Sequence, residues 1–155
     1  MSPYLKLILC LLLTLSVGAF AGIATATSIN NWYITLNKPA FNPPNYLFGP
    51  VWTVLYILMG ISFYMILRSG SDKNKTKAIL IFSIQLFLNF CWSFLFFKFH
   101  LLGLALIEII TIWLFIILMI IQFKKVNKLA AYLQLPYLAW VSFAALLNAG
   151  IWWLN

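Results

Sequence analysis

The chain has 155 residues, 65% of them hydrophobic and only 8% charged, with a mean hydropathy of +1.01. Such a chain has too little polar surface to cover a water-soluble globule, so its solvent is lipid. The formal charge of +8 does not point to nucleic acid, because the basic residues stand at the ends of apolar segments and not along one face.

About 20 apolar residues cross the hydrocarbon core as a helix. Five segments reach that length: Leu5–Ala26, Gly49–Leu67, Ala78–Phe97, Leu101–Phe123 and Leu129–Leu154. They predict an all-α, polytopic membrane protein, with residues 1–155 forming one five-helix bundle and residues 27–48 a loop over it. The first span, with Lys6 before an apolar run and Ala19-Phe20-Ala21 near its end, shares the pattern of a cleavable signal peptide. Gly18-x-x-x-Gly22 with neighbouring alanines reads instead as a helix-packing face of a retained span.

The loop that follows is long, aromatic and stiffened by proline: Trp32-Tyr33-x-x-Leu36-x-Lys38-Pro39, then Pro43-Pro44, Phe48 and Pro50. It is expected to be an ordered lid, since proline lowers the entropy lost when a loop closes. In the second span Phe48, Trp52, Tyr56, Met59 and Phe63 share one stripe. Trp52 stands where interfacial tryptophan anchors are common, so it reads as an anchor or as a cavity wall.

The third span places Gln85, Asn89, Trp92 and Phe96 on one stripe. Amides in hydrocarbon need partners, and these read either as interhelical ties or as the polar side of a cavity. His100 falls in the tight turn before the fourth span and reads as a solvated turn residue. Glu108, an acid inside the fourth span, is a functional candidate with no evident basic partner. In the fifth span Pro136 is expected to bend the helix near Tyr132–Pro136. Trp140, Ala144 and Leu147 follow on one face, and Asn148 needs a partner within the bundle.

An odd number of spans puts the termini on opposite sides. Eight basic residues (Lys6, Arg68, Lys73, Lys75, Lys77, Lys124, Lys125, Lys128) then share one side, and only Lys38 and Lys98 the other. By the positive-inside rule the N-terminus is cytoplasmic and the loop and C-terminus are outside, in a cytoplasmic membrane. Cys10 and Cys91 follow no metal or redox spacing, and no metal site, paired carboxylates, Ser-His-Asp set or phosphate-binding glycine loop is evident.

Three ordered blocks resemble the translocator protein family, also called the tryptophan-rich sensory or peripheral benzodiazepine receptor family. They are Trp32-Tyr33-x-x-Leu36-x-Lys38-Pro39 through Pro43-Pro44 to Trp52-Thr53-x-Leu55-Tyr56-x-x-Met59-Gly60; Gln85-Leu86-x-Leu88-Asn89-x-x-Trp92-Ser93; and Leu135-Pro136-Tyr137 through Trp140 to Ala144, with Leu147-Asn148. The resemblance implies a five-helix bundle, usually a homodimer, whose first loop lids a pocket for porphyrins and other haem-type tetrapyrroles. Synthetic isoquinoline or benzodiazepine-type compounds are also ligands in the family, and no covalent cofactor is implied. Carried over by position, the ligand-binding residues are Tyr33, Pro43, Trp52, Asn89, Trp92, Trp140 and Ala144. Trp52 and Trp140 match the tryptophans associated with light-dependent porphyrin breakdown, the one catalytic alternative to a sensor, scavenger or transporter.

Sterol-binding members carry a tyrosine and a basic residue just after the Leu-Asn pair, and the tail here, Ala149 to Asn155, has neither. The Leu58, Tyr64 and Arg68 combination fits such a pattern only by accident. The Ile-, Lys- and Asn-rich composition also points to a bacterium of low G+C content, where sterol is not the native ligand.

Overall fold

The computed structural model describes residues 1–70 and 72–155. The described residues are helical, with no strand among them: α1 (Pro3–Ser28), α2 (Phe48–Arg68), α3 (Lys73–Ser93), α4 (Leu102–Lys124), a short α5 (Lys128–Tyr132) and α6 (Leu135–Leu154). Five helical stretches are long and apolar enough to span a membrane: Pro3–Ser28, Asn45–Arg68, Lys73–Lys98, Leu102–Lys124 and Lys128–Leu154. The chain is an integral membrane protein.

Polar residues at the helix ends explain where the spans start. Ser2 accepts from the Leu5 amide at 3.2 Å with Pro3 in the first turn, and Asp72 accepts from the Lys75 amide at 2.9 Å. Asn127 does the same for Ala130 at 3.1 Å. Each side-chain oxygen satisfies an amide that the first turn of a helix leaves open. Lys75 reaches back to donate to the carbonyls of Leu67 and Ser69 at 2.8 and 3.0 Å, so one of the topology lysines also closes the end of α2.

The fifth span is interrupted, not simply bent. Its helix stops at Tyr132, turns through Leu133 and Gln134, and restarts at Leu135. Pro136 therefore sits in the first turn of α6, where its missing N–H leaves no bond unmade. The third span also changes character: Phe94–Lys98 forms a π-helical turn. The wider turn brings Phe96 and the adjacent Phe97 both inside, at 2% and 5% exposure. His100 then reverses the chain at φ 59°, a left-handed conformation that histidine tolerates in tight turns. It is exposed as expected, yet its ring stacks on Trp32 at 3.9 Å between centroids.

Helices α1 and α2 meet closely over their middle. A Cβ on Gly18 would come within 2.5 Å of the Tyr56 ring, and one on Gly60 within 2.9 Å of Leu11 and Thr14. Thr14 donates to the Tyr56 carbonyl at 2.8 Å across the same contact. The main core joins α2, α3, α4 and α6 through residues such as Met59, Phe82, Ile112, Ile116 and Tyr137. A second cluster of Tyr33, Phe96, Phe97, Ala105, Leu147 and Ile151 lies beneath the loop.

Candidate ligand cavity

A cavity of about 520 Å³ opens at the loop end of the bundle, between α1, α2, the π-helical turn and α6. Its size falls in the range of small-molecule sites. Trp52 and Tyr56 come from α2, Trp92 and Ser93 from α3, Phe96 and Phe97 from the π turn, and Trp140, Phe143, Ala144, Leu147 and Asn148 from α6. Leu15, Gly18, Ala19, Ala21, Gly22, Thr25 and Ala26 make the α1 wall. Large rings face a wall of small residues, which leaves a slot suited to a flat body.

The loop forms one side. Tyr33 lines the cavity at 1% exposure, its hydroxyl donating to Asn42 Oδ1 at 2.6 Å and its ring packing on Phe48, Phe96 and Phe97. Burial pushes the Tyr33 phenol up to about 12, so it stays a neutral donor. The loop is also tied to the chain end. The Asn37 amide donates to Asn155 Oδ1 at 3.1 Å, Asn155 Nδ2 donates to the Asn37 carbonyl at 2.8 Å, and Pro39 rests against Gly150. Lys38 does not face the cavity mouth as a free cation. Its Nζ donates to the carbonyls of Tyr33 and Leu36 at 2.9 and 3.0 Å and lies 5.0 Å from the Tyr33 ring centre.

Of the residues singled out from the sequence, Tyr33, Trp52, Trp92, Trp140 and Ala144 meet on this cavity. Pro43 is in the loop but off the cavity wall, and Asn89 stands behind it. Asn89 borders only a void of about 10 Å³ with Trp52, Trp92, Ile109, Ile112 and Val141. Its amide is consumed: Oδ1 accepts from the Tyr56 hydroxyl, and Nδ2 donates to the Tyr137 hydroxyl at 2.7 Å. Tyr137 in turn donates to Gln85 Oε1 at 2.8 Å. This chain links α2, α3 and α6 behind the wall, so Asn89 holds Tyr56 in position while Tyr56 faces the cavity. Asn148 finds the partners it needs, accepting from Trp92 Nε1 at 3.1 Å and donating to the Leu102 carbonyl at 3.1 Å.

The α1 wall and Tyr56, Ser93, Phe143 and Asn148 were not among the expected site residues. The run of small residues from Gly18 to Ala26 was the available signal, and it has two uses. Gly18 packs on Tyr56, whereas a Cβ on Gly22 would meet nothing within 4 Å. Gly22 therefore borders space and does not pack against a helix. Trp113, on α4, is off the cavity and donates to Ser142 Oγ at 2.7 Å. Both carboxylate oxygens of Glu108 are buried without a partner among the described residues, and neither borders the cavity. Among the described residues no cluster of His, Cys, Asp or Glu could hold a metal ion.

Comparison with known proteins agrees with this architecture. The model of the TspO/MBR family matches residues 10–154. The tryptophan-rich protein TspO of Chlorobaculum tepidum is 44% identical over 97% of this chain and 96% of its own length. The protein of the same name from Archaeoglobus fulgidus is 42% identical over 97% of each chain. The human translocator protein is 32% identical over 88% of this chain and 83% of its own. With five apolar spans, and a family match covering nearly the whole length, the chain belongs to the TspO/MBR family.

Proposed function

We infer that the protein binds tetrapyrroles, porphyrins foremost, and similar planar apolar ligands within the membrane, acting as a sensor, scavenger or transporter. The observation that carries this reading is the convergence of Trp52, Trp92 and Trp140 on one cavity opposite a wall of small residues. Indole faces stack on a flat aromatic body, and Gly22 and Ala144 leave room for it. Isoquinoline and benzodiazepine-type compounds fit the same description. Three tryptophans on the wall make binding visible: protoporphyrin titrated into the purified protein should quench tryptophan fluorescence saturably. Quenching that rises linearly without saturation would refute a defined site.

Light-dependent porphyrin breakdown is the second reading, favoured by the placement of both Trp52 and Trp140 on that cavity. The chemistry would reside in the excited ligand, with an indole as the oxidisable neighbour. Under illumination Trp52→Phe and Trp140→Phe should suppress a new chromophore while preserving most binding. Formation of that chromophore in both variants at the wild-type rate would exclude this reading.

The lysine-rich end is assigned to the cytoplasm, in a bacterial cytoplasmic membrane, with the loop and C-terminus outside. Thr35 is exposed on the loop, so a Thr35→Cys variant should be labelled from outside intact cells. A homodimer in lipid is the proposed assembly, and sterol is not assigned as a ligand.

A further inference from the structure

Buried hydroxyls in this bundle are almost all committed. Thr14 donates to the Tyr56 carbonyl at 2.8 Å, Ser28 to the Phe97 carbonyl at 2.6 Å, and Ser62 to the Ala130 carbonyl at 2.7 Å. Elsewhere in the spans Thr53, Ser83, Thr111 and Ser142 donate to the carbonyl one turn earlier. That is the usual resort of a helical hydroxyl in an apolar solvent. Among the buried hydroxyls of the described residues, Ser93 is the exception. It is 8% exposed, and its hydroxyl makes no hydrogen bond among the described residues. The little surface it retains borders the cavity.

Most other inner polar groups are already engaged; the indole N–H groups of Trp52 and Trp140 also make no hydrogen bond among the described residues, that of Trp140 being fully covered. The hydroxyls of Tyr33 and Tyr56 donate to Asn42 and Asn89. Asn148 accepts from Trp92 and donates to Leu102, and Thr25 donates to the Ala21 carbonyl. Asn45 and Tyr46 border the mouth, and Tyr46 is 76% exposed, so a bond there competes with solvent. Ser93, which lines the cavity with Trp92, Phe96 and Phe97, is the buried hydroxyl there that keeps a free donor.

We propose that the Ser93 hydroxyl is an inner polar anchor of the cavity, donating to an uncharged oxygen acceptor on the edge of a planar apolar ligand. This rests on the tetrapyrrole reading above and adds its selectivity. An ester, amide or protonated carboxyl oxygen suits the position. An ionised carboxylate does not, because among the described residues no lysine or arginine lines the cavity and Lys38 is held by loop carbonyls. The anchor selects flat ligands that carry such an acceptor over flat hydrocarbons of the same outline.

Three porphyrins of similar shape separate the possibilities: protoporphyrin, its dimethyl ester, and an alkyl-only porphyrin without oxygen. Dissociation constants are read from tryptophan quenching for the wild type, Ser93→Ala and Ser93→Thr. Loss of one hydrogen bond should raise Kd roughly fivefold in Ser93→Ala for the ester, and for the acid when it is titrated at a pH that keeps its carboxyls protonated. The alkyl porphyrin should be unaffected, and Ser93→Thr should recover most of the loss. An equal rise for all three ligands would make Ser93 a merely structural residue, and no rise for any would remove it from the site; either overturns the anchor. A rise for the ionised acid alone would show that a charge is being read and would overturn it too. If no porphyrin quenches the wild type saturably, the tetrapyrrole reading itself fails, and the anchor with it.

Discussion

Replacing Asn89 with leucine tests whether this residue touches ligand or holds the wall. Leucine matches asparagine in size but has no polar atoms, so Tyr56 loses its acceptor while staying 4% exposed. Tyr137 loses an incoming bond but keeps its own donation to Gln85. One buried donor left unpaired costs about 1–3 kcal/mol. Interhelical bonds within membranes average nearer 0.6 kcal/mol, and leucine recovers some apolar contact, so a net loss of about 1–2 kcal/mol is expected. Unfolding in mixed micelles reads that loss, and porphyrin titration on the same samples reads the cavity. The double variant with Tyr56→Phe is decisive, because removing the hydroxyl removes what Asn89→Leu orphans. Its destabilisation should fall short of the sum of the single effects by at least about 0.5 kcal/mol. If Asn89→Leu weakens binding, leaves stability untouched and is additive with Tyr56→Phe, then Asn89 contacts ligand directly and the reasoning is wrong.

Ala144→Phe should fill the space beside Trp140 and weaken porphyrin binding by roughly 1–3 kcal/mol or more, whereas Trp113→Phe should leave affinity unchanged. Equal effects of the two in a fluorescence titration would displace the site from this cavity. Gly18→Ala should destabilise the bundle, because its Cβ falls 2.5 Å from the Tyr56 ring, while Gly22→Ala should be tolerated with nothing within 4 Å. Comparing their thermal unfolding checks this, and the reverse order would contradict the packing. Asn155→Ala should free the loop from the chain end and speed amide exchange around Asn37 while the core helices keep their protection. Unchanged exchange there would mean that the tie contributes nothing in solution.

Periodicity and apolarity determined the five spans, because a lipid solvent forces long runs of unbroken hydrophobic sequence. The same periodicity placed Trp52 and Tyr56 on one face of α2, and Asn89 and Trp92 on one face of α3. Proline chemistry located the irregularity in the last span, although only the folded chain shows a stop at Tyr132 and a restart at Leu135. What a stripe could not decide is which of its residues faces space and which faces another helix. Asn89 and Ser93 lie one turn apart on α3, yet Asn89 is bonded to Tyr56 and Tyr137 while Ser93 borders the cavity with its hydroxyl free. Gly18 and Gly22 divide in the same way between contact and opening. Lys38 is the sole base between α1 and α2, but its carbonyl partners are set by the path of the loop over Tyr33. A helix face is a property of local spacing. Whether that face meets a neighbour or a void depends on how distant segments converge, and that is settled only by tertiary packing.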